Sequence, residues 1–352
     1  MGNEQAILKD DSSHPLLSDR SDEADSHAHF ELIARIASMY YLDEKTQGEI
    51  AKDFHLSRQK VQRLLHEARE LRIVEIHVYA APVLHPELEK KLKETFGLQQ
   101  AVVAPSDSDE QRQRRSVARA AASYLERYLK DGMVVAVGLG RNTSTIADFL
   151  HPSRSIDCSF VSAMGGSPNM KVSVSPNEVC TRLAARTGGI ARPLYAPAFV
   201  ESAALRDMLY AQDSIAQTLD IARRADVAVL GIGAPRADSI LVEAACLTPS
   251  ETSRLSEMSA VGEMIGNFYD GHGRCVNSDL DQRLVGLALD ELRSIPHVVA
   301  VASEVEKSEA ILGALRTGVV HVLITECQNA LAVLRLAGVT DMKEEQKFLT
   351  ES

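Results

Sequence analysis

Residues 46–66 read TQGEIAKDFHLSRQKVQRLLH, and their pattern decides how the front of the molecule folds. Thr46 followed three residues later by Glu49 is a capping box, in which hydroxyl and carboxylate each satisfy a free amide at a helix start. A helix is therefore predicted from about Gln47. It cannot run on, because no single helix places Leu56 on the stripe that Ile50 and Phe54 define. A break at His55, with Ser57 as a second N-cap, resolves the pattern into helices over about 47–54 and 58–66. The turn asks for a positive φ, which histidine tolerates better than most residues. This is the spacing of a helix-turn-helix.

The second helix turns Arg58, Gln59, Lys60, Gln62 and Arg63 outward and Val61, Leu64 and Leu65 inward. Arg and Gln can bond base edges in pairs, and Lys and Arg can meet phosphates. The candidate DNA contacts are therefore Thr46, Gln47 and Ser57 at the helix starts, with Arg58, Gln59, Lys60, Gln62 and Arg63 beyond them. A solvated basic face on an ordinary helix is the alternative. Residues 30–41, FELIARIASMYY, supply a preceding helix, and the β-branched run 72–78, RIVEIHV, fits the wing of a winged helix-turn-helix.

The formal net charge of -11 does not oppose DNA binding. Residues 1–30 hold seven acids and two bases, whereas 31–80 hold eight of each, so the charge of this segment is neutral and its positive side is gathered on one helix. Local field, not net charge, steers the encounter.

At 352 residues, 45% hydrophobic and 25% charged, the chain has room for two or three domains. No run of 18 apolar residues is present, so no membrane partner is expected. Residues 1–28 lack an apolar signal core and read as a disordered tail; His27 and His29, at and just past its end, offer a metal pair, with an ordinary tail the favoured reading. Five cysteines, at 158, 180, 246, 275 and 327, form no CxxC pair, which fits free thiols in a reducing cytoplasm.

The remaining chain alternates strand and helix signals. Valine-rich runs at 133–140, 158–166, 225–234, 297–303 and 319–325 are separated by helix-length segments at 111–130, 177–188, 281–294, 307–318 and 328–338. Such runs are buried on both faces, so an α/β fold with a parallel-dominated sheet is predicted. Arg112, Arg114 and Arg115, at the start of the first of these helices, are expected to face solvent or cap an interdomain surface. Small-residue loops follow several strands, where ligands bind in open α/β sheets. The loop Gly138-Leu139-Gly140-Arg141-Asn142-Thr143-Ser144-Thr145 joins two glycines, a base and four hydrogen-bonding side chains. It suits an anion or serves as an ordinary tight turn, and it is neither a Walker loop nor a dinucleotide fingerprint.

The order of a helix-turn-helix at 30–78, the helix ELEKKLKETFGL, and then VGLG, AMGG, PLYAPA at 193–198, GIGA, VGEMIGNFYDGHGR and LDQRLVG resembles the SorC family of sugar-responsive bacterial transcription regulators. The resemblance covers about residues 30–340. It implies an effector domain like the sugar-phosphate isomerase and deaminase (NagB/RpiA-like) folds, without their catalysis, and a homodimer or homotetramer. It implies operator DNA and a sugar, polyol or sugar-phosphate as partners and no catalytic residue; no cofactor and no metal are expected, and the scattered cysteines argue against a zinc site. The effector-site positions it points to are Gly138, Gly140, Arg141, Asn142, Thr143, Ser144, Gly165, Gly166, Pro197, Asp281, Arg283 and Lys307. Asp281 suits a pair of sugar hydroxyls and Lys307 an anion.

Two positions depart from the family's pattern. Ser303-Glu304 stand where Gly-Gly is common before the lysine, and Asn142 where threonine is common. A carboxylate in place of bare amides favours an uncharged sugar or polyol over a phosphate ester. The expected organisation is a tail at 1–28, a winged helix-turn-helix at 29–80, a connector at 81–110, an effector domain at 111–340 and a C-terminal tail at 341–352. An isomerase- or deaminase-like enzyme with an N-terminal interaction domain is the competing reading. It needs a poised base with an acid partner, and only Asp281 offers itself.

Overall fold

The structure is a computed structural model that describes residues 19–43, 45–71, 73–74, 85–276 and 278–339. Its contacts divide the chain into two compact units that meet in sequence between Ala81 and Pro82.

The N-terminal unit holds helices α1 (Asp19–Tyr41), α2 (Gln47–Asp53) and α3 (Arg58–Glu70). The Thr46–Glu49 capping box is formed in both directions, and the Ser57 hydroxyl accepts from the Lys60 amide. Between them His55 sits at φ 54°, the left-handed geometry that the turn demands. Ile33, Ile36 and Ala37 of α1 close over Ile50, Val61, Leu64, Leu65 and Ala68, a core built from helical spacing on three short segments. His29 of α1 meets Glu67 of α3 at 2.8 Å. The last ten residues of the expected 1–28 tail belong to α1. The expected wing lies outside the described residues except for Ile73 and Val74, which pack against this core.

The second unit is α/β. In chain order it runs α4 (Pro86–Phe96), β1 (Gln100–Ala104), α5 (Glu110–Tyr128), β2 (Val134–Val137), α6 (Arg141–Ile146), β3 (Ser159–Ser162), α7 (Pro176–Thr187) and β4 (Ile190–Arg192). It continues with α8 (Ala203–Tyr210), α9 (Asp213–Arg223), β5 (Val227–Gly231), α10 (Ile240–Glu243), α11 (Pro249–Glu257), β6 (Ala260–Met264) and β7 (Asn267–Asp270). It ends with α12 (Leu289–Arg293), β8 (Val298–Val301), α13 (Ser308–Arg316), β9 (Val322–Glu326) and α14 (Cys327–Leu336).

Seven strands form one all-parallel sheet in the order β1-β9-β8-β5-β2-β3-β4. Alternate residues of each strand enter different cores. Val135, Val137, Val227, Val229, Val299 and Val301 pack with α5, α6 and α7, whereas Ala136, Ala228, Leu230 and Ala300 pack on the opposite side with α4, α13 and α14. Covered faces explain why these strands read as unbroken apolar runs.

Two expectations change here. Segment 81–110 is more than a connector: Leu88 and Leu92 of α4 are buried in the sheet's core, and β1 is the edge strand beside β9. The helix expected over 281–294 exists only as α12, because Leu284 and Gly286 are extended and bridge to Phe199 and Met164. A Cβ on Gly286 would sit 2.7 Å from that of Met164, so the close approach depends on glycine.

Candidate functional site

From β2 the chain winds outward to β3 and β4, whereas from β5 it winds the other way to β8. The carboxyl ends of β2 and β5 therefore flank a topological switch point, where open α/β sheets bind ligands. A cavity of about 640 Å³ opens there. Its wall comes from segments just beyond the strand ends: Ser106 to Gln113 after β1, Leu139 to Asn142 after β2, Gly231 to Ala234 after β5, Ser303 to Lys307 after β8, and Gln328 after β9.

The β6–β7 hairpin closes one side. Its two turn residues, Ile265 and Gly266, have φ 46° and 79°, the pairing that a two-residue hairpin turn requires. Isoleucine is costly there, and it is held by burial against Gly138, where a Cβ would lie 2.7 Å from its Cγ2. The Gly266 amide donates to Glu263 Oε2 at 2.8 Å. Glu263 lies over Gly233, where a Cβ would come within 2.0 Å of Oε1. Burial raises the Glu263 carboxyl, against that amide and Lys307.

Glu304 is the most connected group of the wall. It meets Lys307 Nζ at 2.9 Å, Asn142 Nδ2 at 3.1 Å and Arg114 at 3.4 Å, while the Ser303 hydroxyl donates to Asn142 Oδ1 at 2.7 Å. Burial would raise its carboxyl, but Lys307, Arg114 and Asn142 outweigh burial and hold it at about 2. Arg114 is thus turned inward, with 17% of its side chain exposed, and not toward solvent as the run of arginines suggests.

Of the expected effector positions, Gly140, Arg141, Asn142 and Lys307 line the cavity. The others do not. The hydroxyls of Thr143 and Ser144 donate back to the carbonyls of Gly140 and Arg141, and Gly138 packs under the hairpin. Gly166 bridges to Pro197, the Gly165 amide donates to the Val285 carbonyl, and a Cβ on Gly165 would lie 2.3 Å from the Pro197 carbonyl, so these residues are fixed by backbone packing. Asp281 accepts from the Ser278 amide at 2.7 Å, and Arg283 pairs with Glu251 of the α11 capping box. Asp281, expected among the effector contacts, is therefore not in the cavity wall: its carboxylate closes a local turn.

Sequence reasoning missed Ser106, Gln113, Gly233 and Glu263. Gln113 is buried, and its Oε1 accepts the Asp107 amide while its Nε2 has no partner among the described residues. No local signal marks these residues, since the segments after β1 and β5 and the hairpin come together only around the cavity of the folded unit. The described residues hold no cluster of metal-binding side chains, and the five cysteines are free thiols.

In the N-terminal unit, Arg58, Gln59, Gln62 and Arg63 are exposed on α3 and Lys60 is half-buried. The first turn of α3 holds no acid, and among the described residues no carboxylate pairs with Arg58, Lys60 or Arg63. Thr46 and Gln47 stand at the start of α2, the Thr46 hydroxyl engaged in its cap.

A family model described as "Putative sugar-binding domain" matches residues 83–335. The transcriptional regulator LsrR of Enterobacter sp. (strain 638) is 31% identical over 313 residues, which cover 88% of this chain and 94% of that protein. The erythritol catabolism regulatory protein EryD of Brucella abortus is 27% identical over 305 residues, 86% of this chain and 96% of that protein. The full-length sorbitol operon regulator SorC of Klebsiella pneumoniae superposes with a TM-score of 0.67 at 27% identity, covering 87% of this chain and 98% of that one. No helix of the described residues is long and apolar enough to cross a membrane. The mostly parallel sheet, the sheet-end cavity and these matches agree, and the chain belongs to the SorC family of transcription regulators with a sugar-binding domain.

Proposed function

We propose that the chain is a DNA-binding regulator of a carbohydrate or polyol catabolic operon whose DNA affinity is set by a small molecule in the cavity. Its N-terminal unit is a winged helix-turn-helix that reads DNA with α3. Its α/β unit, of the NagB/RpiA-like type, takes a sugar, polyol or sugar-phosphate. Two or four copies assemble in the cytoplasm, since one helix-turn-helix makes too few contacts for tight specific binding.

The observation that carries this reading is the outward row of α3. Arg58, Gln59, Gln62 and Arg63 are long donors with no acid in the first turn beside them, on a helix whose start and entry turn are fixed by Ser57 and His55. Lys60, Thr46, Gln47 and Ser57 are the flanking candidates for phosphate contact. In the α/β unit the effector contacts proposed are Gly140, Arg141, Asn142 and Lys307, joined by Gln113 and Glu263. The enzyme alternative would need a proton-transfer partner for Glu263; the residues lining the cavity offer only other carboxylates and Lys307, which is paired with Glu304.

The test is selection of binding sites from a random DNA pool, followed by titration of Arg58→Ala and Arg63→Ala. A side chain bonded to a base edge should cost about 1–3 kcal/mol when removed and relax the selected sequence at one position. Unchanged affinity and sequence preference in the double variant would remove α3 from the reading role.

A further inference from the structure

Three donors from three elements converge on one carboxylate in the cavity wall. Lys307 Nζ, Asn142 Nδ2 and the Arg114 guanidinium lie 2.9, 3.1 and 3.4 Å from Glu304, whose side chain is 10% exposed. An ammonium, a guanidinium and an amide aimed at one point are the set that proteins use to hold a phosphate or a ligand carboxylate. Here the anion they hold belongs to the chain itself.

We propose that Glu304 is a tethered anion filling the cavity's own anion place, so that the cavity takes an uncharged polyhydroxyl ligand and refuses a phosphorylated one. The proposal rests on the reading of the cavity as the effector site.

The rest of the wall points the same way. Seven carboxylates and three cations line the cavity, and the two cations besides Lys307 are also engaged: Arg141 meets Glu243 at 2.8 Å and Arg236 meets Asp238 at 3.0 Å. A phosphate ester entering here would displace an existing carboxylate from its cation, and the displaced charge would remain in the wall beside it. An uncharged ligand meets no such conflict. What the wall lacks is an acceptor for the buried Gln113 Nε2, which a ligand hydroxyl supplies, while the Glu243 and Glu304 oxygens can accept from neighbouring hydroxyls.

The proposal is tested with inorganic phosphate as probe, by calorimetry and thermal shift on the full-length protein. The wild-type chain should show no saturable binding up to about 10 mM, well above the dissociation constants of sites built for phosphate. Glu304→Ala frees Lys307 Nζ and Asn142 Nδ2 and leaves Arg114 paired with Glu110 alone, and it should bind phosphate at least tenfold more tightly, with a melting temperature that rises as phosphate saturates. Glu304→Gln keeps the shape and the hydrogen-bond acceptor while removing the charge; it carries the same expectation of a gain, so loss of folding in Glu304→Ala leaves the test intact. Adding Lys307→Met to either variant should abolish the gain. Saturable phosphate binding by the wild type, or no gain in any folded variant, would overturn the proposal. These readouts involve no DNA, so they can fail while ligand-controlled DNA binding holds, and succeed in a protein that never reads DNA.

Discussion

The two ends of the seven-stranded sheet both bury polar groups, and they do so in opposite ways. At the carboxyl ends, Glu304, Lys307 and Asn142 border an open cavity, with Arg114 paired to Glu304 behind them. At the amino ends, the His297 ring stacks on Tyr128 with centroids 3.9 Å apart, its Nε2 meets the Tyr124 hydroxyl at 2.7 Å, and its Nδ1 meets Gln99 at 2.9 Å. Burial, with His321 nearby, lowers its pKa to about 4, so the ring is neutral and both nitrogens are partnered. Among the described residues the first end leaves Gln113 Nε2 and Arg114 Nε without partners, whereas the second leaves no nitrogen of His297 unpaired. A buried polar cluster points to a ligand where donors remain unmet, and to a seal where they are all met.

The largest effect that would break this contrast is expected at Lys307. Lys307→Met leaves Glu304 with Arg114 and Asn142 alone, and removing one partner of a buried pair should cost the α/β unit about 3 kcal/mol. Urea unfolding of the full-length variant measures it. A loss under 1 kcal/mol, the range typical of an exposed pair, would mean that the cavity wall is as well hydrated as a surface.

A smaller effect is expected at the sealed end. A histidine whose folded pKa lies below its unfolded value of 6.5 contributes full stability above pH 6.5 and loses it as the pH falls toward 4. The loss from this group should reach about 2 kcal/mol at pH 5. Glu304, depressed to about 2, keeps its contribution above pH 4.5 and loses it below, so the two ends titrate in successive windows. Unfolding free energies between pH 7 and 5 measure the first window, and His297→Gln should flatten the curve there. A wild-type curve that is flat between pH 7 and 5 would show that the ring is not buried as a neutral group.

The two units differ as much in what their sequences disclose. The N-terminal helices were readable because their signals are local: Thr46 and Glu49 are three residues apart, Ser57 caps its own helix, and His55 carries the turn. The buried strands were readable because both faces of the sheet are covered, which leaves an apolar run in the sequence. The 281–294 segment misled, since its helical period belongs to residues that bridge to Phe199 and Met164. The cavity was readable only where the chain turns into it, at Gly140 to Asn142, and at Lys307 with its unusual neighbour Glu304. Arg114, Gln113 and Glu263 were not, because their partners lie far away in sequence: Arg114 reaches a carboxylate 190 residues on, which no local pattern encodes. Asp281 misled for the complementary reason, as a carboxylate in a promising motif spent its hydrogen bond on a turn three residues back.

The smallest effect, and the one on which the functional reading turns, is the coupling of the cavity ligand to DNA. A ligand changes DNA affinity only by the difference in its affinity for the two states of the protein. The deciding measurement is fluorescence anisotropy of the full-length protein on DNA it has selected, titrated with and without a panel of uncharged sugars and polyols whose cavity binding is followed by thermal shift. A compound that saturates the cavity is expected to change the Kd for DNA at least fivefold, about 1 kcal/mol. A compound that saturates the cavity and leaves the Kd unchanged would contradict it.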